Sequence, residues 1–152
     1  GAAGGVEGAP RGVRRWLCRS EAETRSLGRA LSEELSPHRV LLIEGDLGAG
    51  KTVLAQGIAQ GLAIDAAEVQ SPTFTLVREH QGPGGRLVHL DLYRLEPRQV
   101  AEIGLDELLA GPGIKVVEWP ERLPFRPEGA LRLRIAALAG DPAGGREVFE
   151  LN

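Results

Sequence analysis

The segment GDLGAGKT combines the residue types that bind the phosphate groups of a nucleotide. It matches the pattern G-x-x-x-x-G-K-[ST] at every fixed position and begins one residue after the apolar run at residues 40–43. Its glycines allow a tight loop whose backbone N–H groups point at phosphate oxygens, and the helix that follows directs its positive end at the same anion. The predicted phosphate loop consists of Gly45, Asp46, Leu47, Gly48, Ala49, Gly50, Lys51 and Thr52.

Lys51 and Thr52 have separate predicted roles within this loop. The chain contains sixteen arginines but only two lysines, so a lysine at this position indicates a specific requirement. A compact ammonium suits the loop, whereas a broad guanidinium does not. We assign Lys51 to the β- and γ-phosphates and to catalysis, and the hydroxyl of Thr52 to Mg²⁺. The motif alone does not distinguish an NTPase, a kinase and a passive binder, and a glycine-rich turn is the purely structural alternative.

An acidic residue ends the apolar run at residues 114–118. A phosphate-loop site requires a carboxylate at the end of another strand to hold Mg²⁺, directly or through water. Glu118 is our candidate for this metal role and for catalysis. The structural alternative is a surface glutamate before a turn.

A second acidic residue lies in HLDLYR, residues 89–94, where polar and apolar side chains alternate. In a strand, this spacing places His89, Asp91 and Tyr93 on one face. A polar face of this kind fits the wall of an active site, where Asp91 would orient or deprotonate an attacking water. The alternative is a strand face that contacts solvent.

The segment SPTFT, residues 71–75, follows the helix of the phosphate loop. Segments in this place can respond to the γ-phosphate and Mg²⁺, and Thr73 is our candidate nucleotide contact. A simple turn into a strand explains the same residues. Arg94 and Arg122 could stabilise phosphate charge, but nothing in the sequence singles out one arginine.

The order of predicted elements indicates a single α/β domain. A strand at 16–18 precedes a helix that begins with a capping box of Ser20 and Glu23. Strands are predicted at 39–44, 73–79, 86–93, 113–119, 131–135 and 147–151, a helix at 53–62, two helical segments at 97–104 and 105–110, and hairpin turns at 81–85 and 141–145. We therefore expect a phosphate-loop NTPase type of fold, three-layered, with a mixed parallel and antiparallel central sheet.

Composition limits the class of protein. The chain has 152 residues, a net charge of −3 and one cysteine, which predicts a cytoplasmic domain without disulfides and argues against a strongly basic nucleic-acid binder. No apolar run is long enough to span a bilayer. Residues 1–13, rich in Gly and Ala, are predicted to be a flexible tail, and 14–152 the domain.

The motifs GDLGAGKT, SPTFTLV, HLDLYRL and VVEWPER, in this order and spacing, resemble the bacterial TsaE family, also called YjeE. The resemblance extends from about Thr24 to the C-terminus. It implies a small Mg²⁺-dependent ATPase needed for threonylcarbamoyladenosine at position 37 of tRNAs that read codons beginning with A. It also implies that TsaC makes the threonylcarbamoyl-AMP, that the TsaD–TsaB pair transfers the group, and that the ATPase docks on this pair. Contact with tRNA would be indirect.

The resemblance also implies residue roles. Thr52 and Glu118 would bind Mg²⁺, and Asp91 would support hydrolysis of ATP. The tryptophan next to the metal acid, a threonine in T-x-x-L-G and an arginine in G-R-E would lie near the nucleotide. These three residues are Trp119, Thr24 and Arg146.

Two other functions remain open from the residues. One is a nucleotide-gated binding module with negligible hydrolysis, which Asp91→Ala and Glu118→Ala would leave active. The other is a small-molecule kinase, which would require a second pocket and a mobile lid.

Overall fold

The structure is a computed structural model that describes residues 13–46, 48–70, 77–96, 98–138 and 145–151. The predictions for residues 1–12, for Leu47 and for Thr73 lie outside the described residues. Most of the predicted hairpin turn at 141–145 does as well.

The described residues form four α-helices and seven strands. The helices are α1 (Glu21–Leu35), α2 (Lys51–Gly61), α3 (Gln99–Ile103) and α4 (Leu105–Ala110). The strands are β1 (Arg15–Cys18), β2 (Val40–Glu44), β3 (Val77–Gly82), β4 (Gly85–Asp91), β5 (Ile114–Glu118), β6 (Leu131–Ala137) and β7 (Arg146–Glu150). None of these helices combines the length and the apolar character needed to cross a membrane.

All seven strands belong to one sheet, in the order β1-β7-β6-β2-β5-β4-β3. The pairs β6–β2, β2–β5 and β5–β4 are parallel. The pairs β1–β7, β7–β6 and β4–β3 are antiparallel. Leu41 and Ile43 pack in an apolar cluster with α1 and α2, whereas Val40 and Leu42 pack with α4 on the opposite face. The predicted three-layer α/β fold with a mixed sheet is therefore confirmed.

The start of α1 follows from its cap. The Ser20 side chain accepts a hydrogen bond from the Glu23 backbone N–H at 3.2 Å, as the capping box predicts. The Glu23 carboxylate accepts from the N–H of Arg19 rather than from that of Ser20. The helix ends at Leu35.

Several predicted strand boundaries differ from the observed ones by one to three residues. β4 ends at Asp91 and not at residue 93, because the Asp91 carboxylate accepts the N–H of Tyr93 and turns the chain. In the hairpin, β3 continues to Gly82 and β4 begins at Gly85, so the turn itself contains only Pro83 and Gly84. At Asp91 the side-chain hydrogen bond competes with the ladder and shortens the strand, whereas at the hairpin the ladder continues to the tight turn and lengthens both strands.

Helices α1 and α2 approach each other at a glycine. Arg25 hydrogen-bonds to Gln56 and Arg29 to Gln60, so the two helices run in the same direction. A Cβ at Gly57 would stand 2.2 Å from the Arg25 carbonyl oxygen. A side chain at this position would therefore push the helices apart.

Gly57→Ala is expected to lower the free energy of unfolding by about 1–3 kcal/mol, because the added methyl overpacks a backbone contact. In an open helix the same change would stabilise by about 1 kcal/mol, so close packing reverses the sign. Urea unfolding measures the difference. Ala30→Gly, at an exposed position of α1, measures the difference in helix propensity between alanine and glycine without a packing effect. Stabilisation by Gly57→Ala would show that the helices do not need this close approach.

The second lysine of the chain is buried at the end of the sheet away from the phosphate loop. Lys115 is 1% exposed, and its Nζ donates to the carbonyl oxygens of His38 at 2.6 Å and Gly111 at 2.5 Å. His38 Nδ1 in turn accepts the N–H of Gly113 at 2.9 Å. The lysine that interrupts the apolar run of β5 therefore joins the segments that precede β2 and β5.

Candidate nucleotide site

The phosphate loop joins β2 to α2 at the carboxyl edge of the parallel strands, where open α/β sheets bind ligands. Gly50, the residue before α2, has φ +105°, a conformation that favours glycine. The N–H of Ala49 donates to the Asp46 carbonyl oxygen at 3.1 Å, which tightens the loop. Seven of the eight predicted loop residues are described, and they form the strand–loop–helix connection that phosphate binding requires.

Lys51 is buried at the start of α2, with 4% of its surface exposed. Its Nζ donates to the Gly45 carbonyl oxygen at 2.5 Å and lies 4.0 Å from the centre of the Trp119 ring. Burial lowers the pKa of Lys51, while the carboxylates of Glu118 and Asp91 raise it. Among the described residues Lys51 forms no ion pair, so its charge remains available for an anion.

Glu118 and Asp91 end adjacent parallel strands. Their Cα atoms are register partners in the pairing of β4 with β5, and Glu118 also closes the pairing with β2 beside Ile43. Burial raises the pKa of Asp91, the N–H of Tyr93 lowers it, and the Glu118 charge raises it again. The structure therefore brings together at one sheet edge the two acids predicted from separate motifs.

A buried histidine contacts the predicted metal acid. His89 is fully buried, Glu118 is 3% exposed, and His89 Nε2 lies 2.5 Å from Glu118 Oε2. The sequence placed His89 on the polar face of β4 but assigned it no role. The contact joins residues 29 positions apart, and the only local signal was the place of His89 on the same face of the strand as Asp91.

Trp119, whose ring lies over Lys51, forms an aromatic pair with Tyr93. Trp119 follows β5 with φ +60°, and its ring centre is 4.9 Å from that of Tyr93. A non-glycine residue in this conformation is strained and is a feature of functional sites. The strained backbone holds the Trp119 ring over the ammonium of Lys51.

Arg146 holds the phosphate loop from β7. Its Nε donates to the Ala49 carbonyl oxygen at 2.6 Å, and its Nη2 to that of Gly48 at 3.2 Å. Its Nη1 donates to the carbonyl oxygen of Gly145 at 2.9 Å. The structure thus places Arg146 at the loop, where it contacts loop carbonyls. A direct contact with the nucleotide stays a prediction.

Arg146→Met is expected to weaken nucleotide binding about tenfold, because the loop loses charge-assisted hydrogen bonds to two carbonyls. Calorimetric titration with ADP measures the affinity. Arg134→Met is the matched control, since its half-exposed guanidinium pairs with Glu44 and contacts no loop carbonyl among the described residues. Equal weakening in both variants would contradict a specific role for Arg146.

Thr24 and Thr52 lie on the two helices beside the loop. The Thr24 side chain is buried, and its hydroxyl donates to the Ser20 carbonyl oxygen at 3.3 Å. Because α1 and α2 are parallel, Thr24 lies at the end of α1 that is level with the start of α2. Thr52 is half-buried in the first turn of α2. The position of Thr24 near the nucleotide and the contact of Thr52 with Mg²⁺ stay predictions.

The chain matches a known family over most of its length. Residues 18–147 match the family described as threonylcarbamoyl adenosine biosynthesis protein TsaE, a span that contains every predicted site residue. A Streptomyces coelicolor protein named tRNA threonylcarbamoyladenosine biosynthesis protein TsaE is 42% identical over 124 residues, which cover 78% of this chain and 82% of that one. The chain belongs to the TsaE family.

Further comparisons agree with this membership. A TsaE protein of Nostoc is 48% identical over 108 residues, 68% of this chain, and the match spans 66% of that relative's length. A crystal structure of Bacillus subtilis YdiB superposes with a TM-score of 0.70 at 32% identity, covering 91% of this chain and 84% of that one. Members of the TsaE family are named as proteins of tRNA threonylcarbamoyladenosine biosynthesis.

Proposed function

We propose that this chain is a Mg²⁺-dependent ATPase that supports threonylcarbamoyladenosine formation on tRNA. It would act in the cytoplasm on the TsaD–TsaB transferase pair, with tRNA reached through those partners. The observation that carries the proposal is the position of the Lys51 ammonium near the carboxylates of Glu118 and Asp91, which end adjacent parallel strands. Membership in the TsaE family supports the link to tRNA modification.

The residues fit a magnesium ion that is shared with phosphates. In the described part of the chain no three His, Cys, Asp or Glu side chains cluster as a metal cage. Magnesium at nucleotide sites is held by one or two protein oxygens together with waters and phosphate oxygens, which requires no such cage. Thr52 and Glu118 would supply the protein oxygens. The bound ion would neutralise charge on the phosphates during their transfer to water.

The protein groups would divide the remaining tasks. The loop N–H groups and the start of α2 would bind the phosphates, and Lys51 would neutralise charge at the β- and γ-phosphates. The pKa of Asp91 is raised by its burial, which makes this carboxylate a better proton acceptor than an exposed one. Asp91 would therefore orient or deprotonate the attacking water. Trp119 would cover the nucleotide from the side of β5.

Hydrolysis of ATP by the purified chain tests the proposal. Turnover with Mg²⁺ is measured alone and then with the cognate TsaD–TsaB pair, for the wild type and for Glu118→Ala. We expect the pair to stimulate turnover and Glu118→Ala to abolish it. Glu121→Ala, an exposed glutamate on the neighbouring turn, is the matched control. Tight ATP binding without hydrolysis in either condition would contradict the ATPase and leave a nucleotide-gated binding module.

A further inference from the structure

The contact between His89 and Glu118 is the most buried polar pair near the phosphate loop. Both side chains are almost completely removed from solvent, and His89 Nε2 and Glu118 Oε2 are 2.5 Å apart. A carboxylate oxygen can only accept, so the hydrogen bond is donated by Nε2–H. Among the described residues no other group hydrogen-bonds to the Glu118 side chain, which leaves its second carboxylate oxygen uncommitted.

Packing alone does not explain a histidine at this position. His89 Nδ1 is buried and has no hydrogen-bond partner within the described residues. An unpartnered buried polar atom is destabilising, and an apolar side chain would fill the same space without that cost. The Nε2 contact with Glu118 therefore has to provide something that a leucine could not.

Strand pairing makes the contact rigid. His89 faces Val116 in the register of β4 with β5, and the following pairs place Asp91 beside Glu118. His89 therefore lies two residues before the end of β4, on the same face of the sheet as Glu118, and contacts the carboxylate from that side. The side chain of a glutamate can adopt several rotamers. Because the paired strands fix the position of the His89 donor, its hydrogen bond selects one rotamer of Glu118.

We infer that His89 is a positioning residue that holds one oxygen of Glu118 so that the other is presented to the metal ion or to its bound water. This inference rests on the proposed metal role of Glu118 and extends it to the group that orients the ligand. Outer partners of metal ligands have this effect in other sites, where their loss lowers metal affinity or activity about 10–100-fold. His89 itself contacts neither nucleotide nor metal in this arrangement.

The test compares His89→Leu with His89→Gln. Glutamine can place an N–H donor near the position of Nε2, whereas leucine keeps bulk and removes the donor. The first readout is the affinity of Mn²⁺ for the complex with a non-hydrolysable ATP analogue, measured by electron paramagnetic resonance. The second is the affinity of the analogue in EDTA, without metal. Leu87→Val, a buried change two positions earlier on β4, controls for general loosening of the core.

The expected result is a rise of about 10–100-fold in the Mn²⁺ dissociation constant for His89→Leu, with unchanged affinity for the analogue in EDTA. His89→Gln and Leu87→Val are expected to retain Mn²⁺ affinity close to that of the wild type. Wild-type Mn²⁺ affinity in His89→Leu would overturn the inference. So would an equal loss of analogue affinity in EDTA, which would mean that His89 shapes the loop, or a failure of glutamine to restore binding.

Failure of the ATPase proposal gives a different result. If the wild type binds Mn²⁺ with the analogue but does not hydrolyse ATP, the ATPase fails while the comparison of the His89 variants still decides the positioning role. If the wild type hydrolyses ATP and His89→Leu binds Mn²⁺ normally, only the positioning role fails. Absence of Mn²⁺ binding in the wild type would overturn the metal role of Glu118 and this inference together.

Discussion

Lys51→Met is expected to lower nucleotide affinity by about 100-fold and to abolish hydrolysis, because a charge-assisted hydrogen bond to phosphate contributes about 1.5–3 kcal/mol. The structure gives this lysine no competing ion pair among the described residues. Its ammonium contacts one carbonyl and one aromatic ring, neither of which carries a formal negative charge. Methionine keeps the length of the stem and removes only the charge.

The same substitution is expected to change the free energy of unfolding by less than about 1 kcal/mol, because two effects oppose each other. Removing the ammonium forfeits its interaction with Trp119 and its bond to Gly45. It also removes the unfavourable burial of a charge, the effect that lowers the pKa of Lys51. Titration calorimetry with ADP and urea unfolding measure the two quantities. Wild-type affinity in Lys51→Met would falsify the assignment of the loop to phosphate binding.

Lys115→Met is expected to give the opposite result at the other end of the sheet. The free energy of unfolding should fall by about 2–4 kcal/mol, because the carbonyl oxygens of two segments lose their buried donor. Burial and the nearby Arg86 lower the pKa of Lys115, so removing the ammonium also recovers part of this cost. We expect the loss to exceed the gain, since both hydrogen bonds are short and the methionine stem would leave both carbonyl oxygens without this donor.

Urea unfolding of Lys115→Met is best measured beside Lys51→Met. The two variants make the same chemical change at buried lysines at opposite ends of the sheet, so each is the control for the other. ADP affinity of the folded Lys115→Met protein should equal that of the wild type. Unchanged or increased stability would show that the cost of burying the ammonium cancels the value of its hydrogen bonds.

Local patterns in the sequence were sufficient for much of the fold. Alternation along HLDLYR predicted the shared face of His89 and Asp91, because successive side chains of a strand point to opposite faces whatever their partners are. The capping box of Ser20 and Glu23 likewise predicted the start of α1, because it depends only on residues three positions apart. Strand ends were less accurate, as at Asp91, because a side-chain hydrogen bond ended the ladder there.

The sequence by itself determined the phosphate loop, the two candidate acids and the resemblance to TsaE, because each depends on residue types at short, invariant spacings. Only the tertiary structure decided that His89 contacts Glu118, that Arg146 binds the carbonyls of the phosphate loop, and that Lys115 binds the carbonyl of His38. These contacts join positions 29, 97 and 77 residues apart. Periodicity tells which face a side chain occupies, but the strand order and register that choose its neighbour arise only when the whole sheet assembles.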